Sequence, residues 1–330
     1  MNLYESIAGW YDINVGFVSE ILSKFLPECN GAISTLHELY AAYPEKRVQL
    51  EYAFSTNVRG RALRKSLVER GFAASLGEGR RYLDVGCAYG GFLTAFAEVG
   101  YLAHGIEYDD HLASLCMRHI ELSNLKASIL HADFLADSVV EEPIFDLITC
   151  NDVIEHVSDP GRCIRKLYGL LKPGGVAYIE TVNKNSLKNN TADIHFQFFG
   201  LNLLENCRAE QMYKQLSGSS FYGVSEFYPI EWYLNVAGNL DGASVEIVKV
   251  QGEFDYRVDL LAAFAKFVNW EDVDGKSINK FLVDSVKIEF SRYMRCYFSA
   301  LEKSQLNNDM ENFHRSFSDP IIRFVLRKVR

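Results

Sequence analysis

The chain has 330 residues, of which 48% are hydrophobic and 23% are charged, and its formal net charge is −9 at pH 7. This acidic balance excludes a broad basic surface, so we expect no nucleic-acid partner. The 7 cysteines include no C-x-x-C pair, which indicates neither a disulfide framework nor a zinc site. No apolar run approaches the ~18 residues of a membrane span, and the N-terminus has no signal-peptide pattern, so the sequence predicts a cytoplasmic protein.

The N-terminal part of the chain predicts helices. Phe17, Ile21, Leu22 and Phe25 recur at helical spacing. We therefore expect residues 1–78 to form a helical N-terminal cap.

Residues 79–184 then alternate between strands and helices. Strands are predicted at residues 81–85, 103–106, 128–131, 145–150 and 176–181. Helices are predicted at residues 92–99, 110–122 and 161–171. Strands that alternate with helices at this spacing favour a parallel, doubly wound sheet.

The regular alternation of strands and helices ends after residue 184. Residues 185–228 are polar and predict an inserted lid or acceptor region, because long insertions in compact domains are often functional. A helix is predicted within it around residues 201–216. The core continues over residues 229–255 with a helix at 229–240 and a strand at 245–250. A helical insertion over 256–319 precedes the last core strand at 320–330, which we expect at or near a sheet edge.

One strand ends in a turn of small residues that opens a helix, since residues 83–92 read LDVGCAYGGF. Gly86, Ala88 and Gly90 let backbone approach a ligand closely, and Glu107 follows about 20 positions later, where a ribose diol is bound. Nicotinamide-binding turns read G-x-G-x-x-G instead, and Asp84 within the strand would repel a diphosphate. The pattern predicts an adenosine-containing cofactor and favours one other than a dinucleotide.

Five motifs in order over residues 80–180 resemble those of class I S-adenosylmethionine-dependent methyltransferases, a group that includes ubiquinone-biosynthesis O-methyltransferases and natural-product and sugar methyltransferases. Residues 83–90 resemble the first motif. Residues 146–157, DLITCNDVIEHV, resemble the motif beside the methionine part of the cofactor, and residues 170–179, LLKPGGVAYI, resemble the motif that closes the core.

The resemblance also implies a set of cofactor-binding residues. Glu107 matches the family's ribose-binding acid, with Tyr108 beside it, and the pair Asp133-Phe134 matches the adenine contact. The residues implied to bind the cofactor are Tyr11, Asp84, Gly86, Ala88, Gly90, Glu107, Tyr108, Asp133, Phe134, Asn151 and Asp152. Ala88 stands where the family pattern has glycine.

The resemblance implies a fold and a cofactor as well. We expect a Rossmann-like α/β fold, with a mostly parallel seven-stranded sheet, an antiparallel last strand, a helical N-terminal cap and helical insertions. The implied cofactor is S-adenosyl-L-methionine, with S-adenosyl-L-homocysteine as its product.

Two histidines are candidate catalytic bases, because His156 follows the fourth strand and His195 the fifth, near the strand ends where open sheets place their sites. Asp152, Glu155 and His156 would share one helical face. With His195 they could ligate a divalent metal. Because many metal-free relatives carry the same Glu-His pair, we expect these side chains to bond within their loop and to hold no metal.

The sequence thus predicts an enzyme that methylates a small molecule, at oxygen, acting as a monomer or homodimer without a membrane span. N- or C-methylation is the alternative within the family. A nicotinamide-dependent oxidoreductase and a non-catalytic binding module are the alternatives outside it.

Overall fold

The computed structural model describes residues 2–27, 33–136, 142–249, 255–273 and 275–329. The strands are β1 Arg81–Val85, β2 Leu102–Glu107, β3 Ala127–His131, β4 Phe145–Asn151, β5 Leu171–Val182, β6 Ala243–Ile247 and β7 Ile321–Lys328. The helices are α1 Leu3–Tyr11, α2 Val15–Phe25, α3 Leu36–Ala42, α4 Arg47–Phe54, α5 Thr56–Glu69, α6 Gly91–Ala97, α7 Asp110–Leu122, α8 Pro160–Leu170, α9 Leu187–Thr191, α10 Asn206–Ser217, α11 Ile230–Gly238, α12 Tyr256–Val273, α13 Lys280–Leu306 and α14 Met310–Phe313.

The seven strands form one sheet in the order β3-β2-β1-β4-β5-β7-β6. β1 pairs in parallel with both β2 and β4. The last strands of the chain are antiparallel. The predicted Rossmann-like sheet is confirmed. The strand order reverses direction between β1 and β4, and the carboxyl ends of strands at such a point form the crevice where open α/β sheets bind ligands.

Several predicted boundaries differ from the observed ones. β6 lies at Ala243–Ile247 and not at 245–250, and residue 250 is outside the described residues. The predicted helix around 201–216 is a short 3-10 turn, Leu201–Leu203, followed by α10. β7 lies next to the edge strand β6, which agrees with its expected place near the sheet edge.

The chain divides into two compact units. The first comprises Met1–Asn151, Arg165–Tyr178 and Leu326–Arg330, and the second comprises Asp152–Ile164 and Ile179–Val325. The division into cap, core, lid and insertion that the sequence suggests stays a prediction.

The first unit has its own hydrophobic core among the N-terminal helices. Buried side chains of α1 to α4 pack there together with Tyr89 and Leu115. α5 crosses α6 with almost no space between them, because a Cβ on Gly60 would lie 2.0 Å from the Gly91 carbonyl oxygen. Only glycine allows this close approach, which fixes the helix that follows β1 against the N-terminal helices.

The second unit is held by an aromatic core. Phe199, Trp270 and Phe290 are buried among residues of α10, α12 and α13, with ring centroids 5.1 to 5.7 Å apart around Phe199. This packing anchors the segment after β5, because Leu187 and Leu201 belong to the same core.

None of the helices within the described residues combines the length and the hydropathy that crossing a membrane would need.

Candidate active site

The turn after β1, residues 86–90, is here named the glycine turn. Three of its backbone N–H groups donate to carbonyl oxygens: Gly86 and Cys87 to that of Ile106 at 2.8 and 3.2 Å, and Gly90 to that of Cys87 at 2.7 Å. Gly86, Ala88 and Gly90 all have positive φ angles, of 72°, 43° and 77°. A turn of this shape suits glycine, so Ala88 is strained by its Cβ.

Glu107, the last residue of β2, is tied to the glycine turn. Its Oε2 accepts the Ala88 N–H at 2.8 Å and its Oε1 accepts the Asp109 N–H at 2.9 Å. The side chain is buried. Each carboxylate oxygen accepts one bond here and has a second lone pair, so Glu107 can still bind two hydroxyl groups of a ligand.

Asp84 lies buried in β1 beside a partner that the sequence analysis missed. Its Oδ1 accepts the Thr149 hydroxyl at 2.7 Å, and Tyr82 donates to Thr149 at 2.6 Å. Asp84 Oδ2 has no hydrogen-bond partner among the described residues. Burial raises the pKa of Asp84 to about 7, and the nearby Glu107 charge adds to this rise. Thr149 could have been inferred from register, because it pairs directly with Asp84 across β1 and β4.

The pair after β3 divides into an exposed residue and a buried one. The Asp133 carboxylate is exposed and its Oδ1 accepts the Leu135 N–H at 2.8 Å. Phe134 is buried, and the Lys166 ammonium lies 5.3 Å from its ring centroid. Lys166 was not among the predicted site residues.

The other predicted cofactor residues of the first unit occupy varied environments. The Tyr108 side chain is 75% exposed, and its carbonyl accepts from His131 Nε2 at 3.0 Å. Asn151 ends β4, and its buried Oδ1 has no partner among the described residues. Tyr11 ends α1, with its ring 5.9 Å from that of Phe54.

The second unit begins at Asp152, which has a positive φ of 54° and donates its N–H to the Glu180 carbonyl at 3.1 Å. Three side chains of this unit converge. One nitrogen or oxygen atom from each of Glu155, His156 and His195 lies within 4.8 Å of the other two. We name these three residues the histidine cluster. Asp152, which the sequence places with them, is not part of it.

Glu155 and His156 are each fixed through one side-chain atom. Glu155 is fully buried, and its Oε2 accepts the Thr181 hydroxyl at 2.9 Å. Its Oε1 is buried with no partner among the described residues, and burial raises the pKa of Glu155 to about 7. His156 Nδ1 lies 2.6 Å from the Gly223 carbonyl oxygen, so Nδ1 carries the proton and Nε2 has the free lone pair.

His195 is placed by a carboxylate two residues earlier. Asp193 accepts the backbone N–H groups of His195, Phe196 and Phe198, each at 2.9 Å. The His195 ring centroid is 5.1 Å from that of His156, and its buried Nδ1 has no partner among the described residues. Burial and the nearby His156 lower the pKa of His195 to about 4, so the ring is neutral.

Asp193 is a functional candidate that sequence reasoning missed. Aspartate that accepts N–H groups of the next residues is a common turn signal, and this signal could have been read from the sequence.

Comparison with protein families gives one match over more than half of the chain. A family model described as a methyltransferase domain matches residues 55–237. The match begins just before α5 and ends within α11, so it includes the glycine turn, Glu107 and the histidine cluster.

Similar proteins bear names of the same kind. A ubiquinone biosynthesis O-methyltransferase from Methylococcus capsulatus is 33% identical over 201 residues, covering 57% of this chain and 77% of the relative. One of the same name from Coxiella burnetii is 33% identical over 108 residues, covering 33% of this chain and 46% of the relative. The chain thus spans about half the length of the Coxiella protein.

Among solved structures, a SAM-dependent methyltransferase from Aquifex aeolicus is 16% identical with a TM-score of 0.38, over 56% of this chain and 82% of that chain.

Proposed function

The chain belongs to the class I S-adenosylmethionine-dependent methyltransferases, and from this premise we propose that it methylates a hydroxyl oxygen of a small-molecule acceptor. The names of the two relatives above, which are O-methyltransferases, support oxygen as the atom methylated. The net charge of −9 supports a small molecule over nucleic acid as the acceptor.

The observation that carries the proposal is the bond between Glu107 and the glycine turn. The Ala88 N–H donates to Glu107 at 2.8 Å, so the acid that ends β2 and the turn after β1 are joined, which supports a single binding surface in the first unit. Ribose hydroxyls can occupy the remaining lone pairs of Glu107. The unpartnered Asp84 Oδ2 suits the ammonium group of the cofactor's methionine part.

We assign adenine to Asp133 and Phe134, and the remaining contacts to Tyr11, Gly86, Gly90, Tyr108, Asn151 and Asp152. When bound, the cofactor supplies a methyl group already activated on a sulfonium. The protein therefore has to orient the acceptor and promote loss of the hydroxyl proton.

We assign that second task to His156 and His195. Both rings offer a nitrogen lone pair, since His156 Nδ1 donates its proton to Gly223 and burial keeps His195 neutral. Asp193 is a positioning residue that sets the backbone of His195.

The cofactor is tested by calorimetric titration of the whole chain. We expect S-adenosylhomocysteine to bind and to raise the melting temperature, and NAD⁺ to do neither. Binding of NAD⁺ alone would contradict the proposal.

The acceptor atom is tested with deuteromethyl-labelled S-adenosylmethionine. The chain is incubated with matched phenol, catechol, sugar, amine and activated-carbon acceptors, and products are located by mass spectrometry and NMR. We expect label on oxygen. Label on nitrogen or carbon alone would replace this proposal by its alternative.

The histidines are tested with the acceptor so identified. His195→Asn and His156→Asn should each reduce turnover by ~10²-fold or more at unchanged S-adenosylhomocysteine affinity. His37→Asn, which removes an exposed histidine of α3, serves as the control and should retain turnover. Near-normal turnover of both cluster variants would remove these residues from the reaction.

A further inference from the structure

We infer that the exposed face of α12 is a dimerisation surface on which α12 of a second copy of this chain packs. This face, here named the outer stripe, consists of Val258, Leu261, Ala265 and Val268. The match to the methyltransferase family model ends at residue 237, before α12 begins. The outer stripe therefore lies outside the matched domain, and its role is independent of the proposed function.

The opposite face of α12 is already occupied. Ala263 and Trp270 are buried in the aromatic core of the second unit, and Tyr256, Leu260 and Phe267 pack against that core. These five positions recur at alternating intervals of four and three residues, so they form a single face of the helix. This inner face attaches α12 to its own unit without any contribution from the outer stripe.

The outer stripe is a second apolar face of the same helix. At ~100° per residue its four positions lie nearly opposite the inner face. Val258, Leu261 and Val268 are 60%, 73% and 72% exposed, and Ala265 is exposed as well. A helix that is apolar on all sides is typically buried, and a contiguous exposed apolar patch marks an interaction site. In the part of the chain that the structure describes, nothing covers this patch.

The spacing of the outer stripe fits a second copy of itself. Read from either end of the helix, its positions follow at steps of three, four and three residues. When two α12 helices pack antiparallel about a two-fold axis at the level of residue 263, Val258 faces the partner's Val268, and Leu261 faces the partner's Ala265. The large side chain of the central pair then meets a small one, which allows close packing of the two helices.

The charges around α12 favour a copy of the chain over a lipid surface. Residues 255–274 contain five acidic and two basic residues. Helices that lie on membranes carry mainly Lys and Arg on their polar face, and an acidic segment is repelled by anionic lipids. In the antiparallel pair, the exposed Arg257 at the start of one helix lies beside the C-terminal end of the other, where the helix dipole is negative.

The size of the outer stripe indicates a reversible dimer. Its three exposed branched side chains offer on the order of 300 Å² per copy, less than the ~800 Å² per partner of a standard interface. Small interfaces belong to weak complexes, so we expect a dissociation constant on the order of 10 μM.

Self-association is tested by sedimentation equilibrium of the whole chain across the micromolar range. We expect an equilibrium between monomer and dimer. Leu261→Lys places a charge in the outer stripe and should raise the dissociation constant by at least ~10-fold. Leu76→Lys, which replaces an exposed leucine of the first unit, is the matched control and should leave the constant unchanged. Both leucines are exposed, and circular dichroism and the melting temperature verify that both variants fold.

The antiparallel arrangement is tested with introduced cysteines. The background carries Cys29→Ser, Cys207→Ser and Cys296→Ser, because Cys207 and Cys296 are exposed thiols. Val258→Cys chains mixed with Val268→Cys chains and oxidised with diamide should give a disulfide-linked dimer on non-reducing gels. Val258→Cys chains alone should give little. Equal cross-linking of Val258→Cys with itself would contradict the antiparallel arrangement.

A chain that stays monomeric at every concentration, or a dimer that Leu261→Lys leaves intact, would overturn the inference. Sedimentation with phosphatidylserine-containing vesicles tests the other occupant. A monomer that binds these vesicles, with binding lost in Leu261→Lys, would overturn it as well. S-adenosylhomocysteine is titrated into the same samples. A dimer that does not bind it contradicts the proposed function alone, and a monomer that binds it contradicts the dimer alone.

Discussion

The glycine turn and the histidine cluster hold their polar groups in opposite ways. In the glycine turn, the hydrogen bonds are donated by backbone N–H groups, and the Ala88 N–H donates to the Glu107 carboxylate. In the histidine cluster, side chains are fixed at one atom each, and Glu155 Oε1 and His195 Nδ1 stay unpaired among the described residues.

The two regions are therefore organised differently for binding a ligand. The glycine turn is shaped by backbone hydrogen bonds before a ligand arrives, and the ligand can then bind the remaining lone pairs of Glu107. A cluster with buried unpaired atoms can still accept a hydrogen bond from a group that the chain does not supply. The four predictions that follow test this contrast, beginning with the largest expected effect.

Removal of the Asp193 carboxylate should destabilise the second unit, and this is the largest of the four expected effects. Asp193→Ala leaves three backbone N–H groups without their acceptor, so we expect a loss of about 3 kcal/mol in the free energy of unfolding. Asp109→Ala is the matched control, since Asp109 accepts one N–H at the start of α7 and its loss should cost about 1 kcal/mol. Urea denaturation measures both. Equal losses would show that Asp193 does not hold the loop of His195.

Removal of the Glu107 carboxylate should affect the cofactor. Glu107→Ala loses the acceptor for ribose and the bond to Ala88, so we expect the affinity for S-adenosylhomocysteine to fall by about 100-fold, or about 2.7 kcal/mol. Titration calorimetry gives the dissociation constant. Glu69→Ala, which removes an exposed glutamate of α5, should bind like wild type. An unchanged dissociation constant in Glu107→Ala would contradict the proposal that the glycine turn and Glu107 bind the cofactor.

The stability of the chain should depend on the ionisation of Asp84. Burial raises its pKa from the ordinary value of 3.8 to about 7. The folded state therefore keeps a proton that the unfolded state has lost, and stability present below pH 4 is lost as pH rises through 7. Between pH 5 and 7 we expect Asp84 to account for a loss of about 2 kcal/mol.

Asp84→Asn removes this titration and should flatten the dependence of unfolding free energy on pH, measured in urea without cofactor. Glu45→Gln replaces an exposed acid and should retain the wild-type slope. Parallel slopes for wild type and Asp84→Asn would show that Asp84 does not carry the buried proton. Tyr82, Thr149 and Glu107 face this group and remain unchanged in both proteins.

The smallest effect concerns the strained residue of the glycine turn. Ala88→Gly relieves a positive φ of 43° and should raise the free energy of unfolding by about 1 kcal/mol, after the entropy cost of glycine is subtracted. Ala41→Gly in the exposed face of α3 should lower it by about 0.5–1 kcal/mol. A loss in both variants would mean that the Ala88 methyl group contributes packing that outweighs its strain.

Local patterns predicted most of the sheet. β1, β4 and α7 lie where apolar runs and capping residues place them, because short strands and helices depend on nearby residues. The boundaries of β6 and α10 were less accurate. The apolar period of α10 is regular, but a 3-10 turn at Leu201–Leu203 and an extended Glu205 separate it from the residues before it, and Leu201 and Leu204 are buried in the aromatic core of the second unit.

The sequence by itself determined the family and the cofactor class, because the spacing of Asp84, the glycine turn and Glu107 is local to two neighbouring strands and the turn and helix that join them. Only the tertiary structure decided which lone pairs remain open. Thr149 pairs with Asp84 through strand register, and His195 reaches Glu155 and His156 through the fold of a distant loop. Such long-range contacts depend on packing across the whole unit, and the order of residues in the chain does not encode them locally.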